Sequence, residues 1–207
     1  MVLPEEVIAS TVIYMGLIHG ANPTSGWLLS VHRGMMNKSR GEVFITVGLL
    51  GAGHTLAMLS LLPISIATSW LNSVTAPASA VALIAFGAYR LLRRTHWYFG
   101  LKRSRLEMIP LGAALGVVHG SIPSVMPFFA LYCSIYGGAT GSLTGGLYMI
   151  ALHSTASVLV MASFAASVYL VLGIGSLKRL WIDFDRIWSL ILVGIGAWVF
   201  ASWIFNH

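Results

Sequence analysis

Charge is what this chain has least of. Only 9% of its 207 residues are Asp, Glu, Lys or Arg, against 57% that are hydrophobic, and the mean hydropathy is +0.84. A soluble domain of this size needs far more charged surface to cover it, so the composition excludes a soluble enzyme or binding module and predicts an all-α integral membrane protein. Acidic residues are the scarcer sign, six against twelve basic, for a formal charge of +6. That balance does not point to nucleic acid, because the basic residues fall in short clusters between apolar runs, as topogenic loops do. Cysteine occurs once, at Cys133, which excludes an intramolecular disulfide and a thiolate-built metal cage and leaves a small buried hydrophobe as its simplest role. No secretory leader is expected at the start. Glu5 and Glu6 stand where basic residues would precede it, so the first apolar run is expected to be retained as a span.

What is abundant is apolar sequence in long runs. A span needs about 20 predominantly apolar residues, and on that rule the chain divides into six: Val7–Val31, Val43–Leu71, Ala76–Leu92, Met108–Ser134, Leu143–Leu172 and Ile187–Ile204. All 12 Lys and Arg lie after the first, third and fifth of these or at their edges, at Arg33, Lys38 and Arg40, from Arg90 through Arg105, and at Lys178, Arg179 and Arg186. The positive-inside rule then predicts that the segments 31–42, 91–107 and 173–186 are cytoplasmic and both termini external, in the plasma membrane. The segment Arg93–Arg105, which includes His96, Trp97 and Tyr98, reads as an interfacial anchor.

The chain also repeats itself. Gly16-Leu17-Ile18-His19-Gly20-Ala21-Asn22-Pro23 is answered a hundred positions later by Gly116-Val117-Val118-His119-Gly120-Ser121-Ile122-Pro123. Gly53-His54-Thr55-Leu56-Ala57 is answered by Leu152-His153-Ser154-Thr155-Ala156, and Phe86-Gly87-Ala88-Tyr89 by Ile195-Gly196-Ala197-Trp198. Residues 1–92 and 108–207 are therefore two three-helix repeats joined by a basic connector, 93–107. Three spans is an odd number, so the second copy must enter the membrane from the opposite face, and the repeats are inverted. Inverted repeats with interrupted helices recur in secondary transporters, whose substrate sites lie near the midplane. Pro23 and Pro123 supply the interruptions here, each removing a backbone donor and releasing the carbonyl of His19 or His119 four residues earlier.

Four histidines, His19, His54, His119 and His153, fall about ten to twelve residues into their runs, near the bilayer centre. No Asp, Glu, Lys or Arg shares that depth, and ionisable residues in spans mark a pathway or site by default. The simpler role for each is a packing residue bonded to a helix carbonyl. Imidazole binds borderline metals such as nickel, cobalt, copper and zinc, whereas sulfur donors favour softer ions. Met15, Met58 and Met149 each lie four residues from one of these histidines on the same helical face, either as core filler or as ligands for copper. Asn22, Thr24, Ser25, Thr55, Ser121 and Ser154 are placed to orient the imidazoles or to bond neighbouring helices. His32, His96 and His207 lie in loops or at the terminus and are expected to be solvated.

On His19, Pro23, Gly26 and Gly53-His54-Thr55, and more loosely on His153-Ser154-Thr155-Ala156-Ser157, the chain resembles the nickel/cobalt permease superfamily, in its exporter-like branch related to the urease-accessory membrane proteins. The resemblance implies a six-span permease for nickel or cobalt. Asn22 and Thr24 stand where that family has carboxylates, and Ser25 where it has a second histidine. Three other functions fit the same residues: a haem-binding redox subunit with histidine ligands, an accessory subunit of a larger membrane assembly, and an exporter of a small neutral or anionic solute drawn to the helix starts after Pro23 and Pro123.

Overall fold

The computed structural model describes residues 5–69, 72–92, 104–118, 125, 129, 141–172 and 184–206. Every described element of secondary structure is helical: α1 Glu5–Ala21, α2 Trp27–Met36, α3 Arg40–Ser69, α4 Asn72–Leu92, α5 Met108–Val118, α6 Gly141–Ser167 with a π-helical extension Val168–Leu172, and α7 Phe184–Asn206. Two stretches among them, Arg40–Ile64 in α3 and Leu143–Val171 in α6, are long and apolar enough to cross a membrane. Their outward faces carry Ile45, Leu56, Ile64, Leu143 and Leu159 exposed, a pattern that suits hydrocarbon and not water.

The first predicted run is interrupted where Asn22-Pro23 falls. α1 ends at Ala21, Pro23–Ser25 form one 3-10 turn, and α2 starts at Trp27. Proline alone does not explain this, since Pro63 and Pro77 lie inside α3 and α4, which continue through them. The break is set by a combination. Asn22 Oδ1 accepts from the Thr24 backbone N–H at 3.0 Å and from its hydroxyl at 2.7 Å, and Gly26 takes a φ of 120°, which a side chain would resist. Trp27 Nε1 donates to the Ala21 carbonyl at 3.1 Å, occupying an acceptor that the end of α1 leaves open. The expected release of the His19 carbonyl does not occur. It accepts from the Asn22 N–H at 3.1 Å, because the last turn of α1 tightens to 3-10 spacing.

Glycine decides where helices touch. A Cβ at Gly16 would lie 2.6 Å from the His153 carbonyl oxygen and 3.0 Å from Ala156 Cβ, and one at Gly20 would fall on the Ser157 carbonyl, so α1 and α6 run side by side in the same direction with their backbones in contact. α3 and α5 meet likewise, Gly53 against the Ile109 carbonyl and Gly112 against that of Leu50. α4 and α7 form an antiparallel pair in which Gly87 lies against Ser189 and Val193, and Gly196 against Ala80 and Ile84.

Two buried apolar clusters fill the interior. One joins Ile8, Val12 and Met15 of α1, Met58 and Leu62 of α3, Val125, Phe129, and Met149 and Ile150 of α6. The other joins Trp27 and Val31 of α2, Val43, Val47 and Leu50 of α3, Met108, Leu111 and Leu115 of α5, and Met161, Ala165 and Val168 at the far end of α6. A smaller patch, Leu83 with Leu192, seats the α4–α7 pair against Ile18 of α1. Along α1, α3 and α6 alike, a histidine falls between the two larger clusters.

Candidate functional site

Three of the four central histidines lie within the described residues, and the fold brings them together. His19 comes from the last turn of α1, His54 from the middle of α3 and His153 from α6, and they are 4%, 5% and 0% exposed. The rings of His19 and His54 are stacked, with centroids 4.7 Å apart and planes at 19°. His153 completes the group, 6.1 Å from His19 and 5.7 Å from His54. Helices placed at random in sequence would not put three buried imidazoles at one level. The level is fixed by the close α1–α6 contact at Gly16 and by the opposite direction of α3.

His153 is anchored. Its Nδ1 lies 3.3 Å from the Val12 carbonyl, which can only accept, so Nδ1 is the donor in this contact. One turn on, the Ser157 hydroxyl donates to the Gly16 carbonyl at 3.0 Å, a second tie between α1 and α6 beside the layer. Sequence reasoning passed over Ser157 in this role.

The polar residues expected around the site divide into two kinds. Asn22, Thr24 and Ser25 bond among themselves, Asn22 Oδ1 to Thr24 and the Ser25 hydroxyl to the Asn22 carbonyl at 2.7 Å, so their visible work is to hold the turn after His19. Thr55 donates to the Gly51 carbonyl of its own helix at 2.9 Å. The Ser154 hydroxyl reaches across to Met58 Sδ at 3.9 Å. Met15, Met58 and Met149 are all buried in the first apolar cluster, immediately to one side of the histidines. His119, Ser121 and Pro123 lie outside the described residues, as do His96, Cys133 and His207.

A second polar centre lies at the basic end of the bundle, where the sequence had suggested only topogenic charge. Glu42, 3% exposed in the first turn of α3, accepts on Oε1 from Arg33 Nε at 3.3 Å and Nη2 at 2.7 Å, and on Oε2 from Arg105 Nε at 3.0 Å and Nη2 at 2.7 Å. The Arg33 side chain is 11% exposed and that of Arg105 is 61%. The hydrogen bonds that Arg105 donates to the Glu42 carboxylate, with the attraction of its charge, raise the Arg105 pKa above its ordinary value. This triad clamps α2, α3 and the approach to α5. A single acidic residue opening a long apolar run between basic clusters was the available signal.

Among the described residues, no three His, Cys, Asp or Glu side chains form a ready-made cage for a metal ion. The rings of His19 and His54 face each other, whereas coordination needs ring edges to converge. Among the described residues, the chemistry within reach is therefore that of imidazole nitrogens and thioethers in an apolar interior without a carboxylate. No protein family, curated protein or solved structure matches this chain.

Proposed function

We propose that this chain is a plasma-membrane permease of six helical spans, built as two inverted three-helix repeats, that carries a transition-metal cation through the histidine layer. One observation carries the reading: His19, His54 and His153, from three separate helices, converge in a buried layer between two apolar clusters. Ionisable groups are kept in such surroundings mainly for function. His119 is the symmetric candidate for a fourth ligand.

The repeat assignment draws support from contact reciprocity. The offset of 109 residues that carries Gly87 onto Gly196 also carries Ala80 onto Ser189 and Ile84 onto Val193, and those are the residues that the two glycines touch. Self-complementary contact of this kind is what a two-fold axis between related helices produces. The exchange of partners between halves supports it further, with α1 packed on α6 and α5 on α3. The resemblance to the nickel/cobalt permeases agrees with this arrangement. The ring separations weigh against haem, because a macrocycle cannot enter between imidazoles stacked at 4.7 Å and enclosed by packed helices.

The test is metal content and uptake in cells and proteoliposomes for folded variants. His19→Ala, His54→Ala and His119→Ala are each expected to abolish stoichiometric metal and transport, whereas His96→Ala leaves both intact. Normal transport and metal content in His19→Ala and His54→Ala together would remove the basis of the assignment.

A further inference from the structure

Each described histidine of the layer has a methionine one helical turn away on its own helix, Met15 before His19, Met58 after His54 and Met149 before His153. Because α3 runs against α1 and α6, these opposite offsets bring all three methionines to the same side of the layer. They are 2%, 0% and 0% exposed within one cluster. The Met58 sulfur lies 3.9 Å from the hydroxyl of Ser154, the chain neighbour of His153, so this thioether has a polar contact and is not enclosed by apolar groups alone. Among the described residues, no carboxylate opposes this soft set. Among the described residues the only buried acid is Glu42, twelve residues from His54 and so about 18 Å along α3, with both oxygens held by arginines.

We infer that the cargo of the histidine layer is a soft monovalent cation, copper(I), and not nickel(II) or cobalt(II); the inference rests on the permease reading above. The cost of taking an ion out of water rises with the square of its charge, so a divalent cation faces about four times the penalty of a monovalent one in the same interior. Neutral imidazoles and thioethers return only lone-pair donation against it. Nickel(II) and cobalt(II) therefore need a carboxylate or thiolate here, and none is within reach among the described residues. Thioether donors select copper(I) over the harder divalent ions. Copper(I) also accepts mixed nitrogen and sulfur donors, the types that this layer and the methionines one turn away offer.

The experiment uses the full chain in detergent. Copper(I), kept reduced by ascorbate, is titrated against a chromophoric copper(I) chelator, and nickel(II) and cobalt(II) are titrated separately by equilibrium dialysis with elemental analysis. One copper(I) per chain is expected, held at least tenfold more tightly than either divalent ion. Met58→Leu combined with Met149→Leu, a change of similar volume, is expected to weaken copper(I) at least tenfold. X-ray absorption of the copper-loaded wild-type chain should show a sulfur neighbour, a readout that depends on no variant. Tighter nickel(II) or cobalt(II) binding, or a copper shell of nitrogen alone, overturns the copper(I) assignment and leaves the permease reading standing. Failure of all three ions to bind the wild-type chain overturns the permease reading itself.

Discussion

Replacing Gly16 by Ala sets two effects of known size against each other. Alanine is the better helix former by about 0.8–1 kcal/mol, which favours the variant. Against it, the new Cβ would lie 2.6 Å from the His153 carbonyl oxygen, and ordinary contact begins near 3.4 Å, so α1 must withdraw from α6 by about 0.8 Å. Backbone-to-backbone crowding of this kind costs about 1–3 kcal/mol and exceeds the propensity gain. Withdrawal also stretches the bonds from Ser157 to Gly16, 3.0 Å, and from His153 to Val12, 3.3 Å, which hold the layer together. Gly48 provides the control. It too lies inside a helix, but a Cβ there meets nothing within 4 Å, so Gly48→Ala should stabilise by the propensity term alone. For a chain of this size 1 kcal/mol corresponds to about 2–4 °C in Tm. Thermal unfolding in detergent should therefore move down for Gly16→Ala and up for Gly48→Ala, and copper(I) affinity should fall only for the former. Shifts in the same direction at the two positions would refute the close contact between α1 and α6.

Glu42→Gln is expected to destabilise by about 1.5–3 kcal/mol, because a buried carboxylate accepting from two guanidinium groups is replaced by a neutral amide; chemical denaturation with and without Arg33→Ala tests whether the two losses are non-additive. Arg105→Ala should cost less than Arg33→Ala in the same assay, since its side chain is 61% exposed against 11%. Asn22→Asp keeps an oxygen acceptor for Thr24 while placing a carboxylate three residues after His19, so nickel(II) affinity should rise at least tenfold, and an unchanged value in equilibrium dialysis would contradict the charge argument for copper(I). A cysteine placed at Lys38 or Lys102 should stay unlabelled by an impermeant thiol reagent outside intact cells and react after permeabilisation, and external labelling would refute both the topology and the inverted order of the repeats.

Helix positions were legible in the sequence because the property that creates them is local. A run of apolar residues that cannot leave backbone groups unpaired in hydrocarbon must become helix, and α3, α4, α6 and α7 each coincide closely with a run recognised by composition. The matched residues behind the proposed duplication were legible for the same reason, since they lie along the chain. So was the shared level of His19, His54 and His153, which needs only a count along each run and a fixed rise per residue. The interruption at Asn22-Pro23 was readable in part. Its proline gives the place, but the continuous helices through Pro63 and Pro77 show that the Asn22 cap and the positive φ at Gly26 decide the outcome.

What only the tertiary structure decided is which side chains meet, because that depends on helix direction and on how closely backbones approach, and neither is a property of any one run. Spacing placed Met15 and Met149 before their histidines and Met58 after its own, and only the reversed course of α3 turns those unlike offsets into a single buried group. Charge at the basic end read as topology, yet folding gathers Arg33 and Arg105 from segments far apart in sequence onto Glu42. Asn22, Thr24 and Ser25 carried the polarity expected of ligands, but hydrogen bonds within a turn are shorter in reach than any to a neighbouring helix, and the turn claims them first. The approach of His19 to His153 rests in the end on Gly16, whose missing side chain lets two backbones touch.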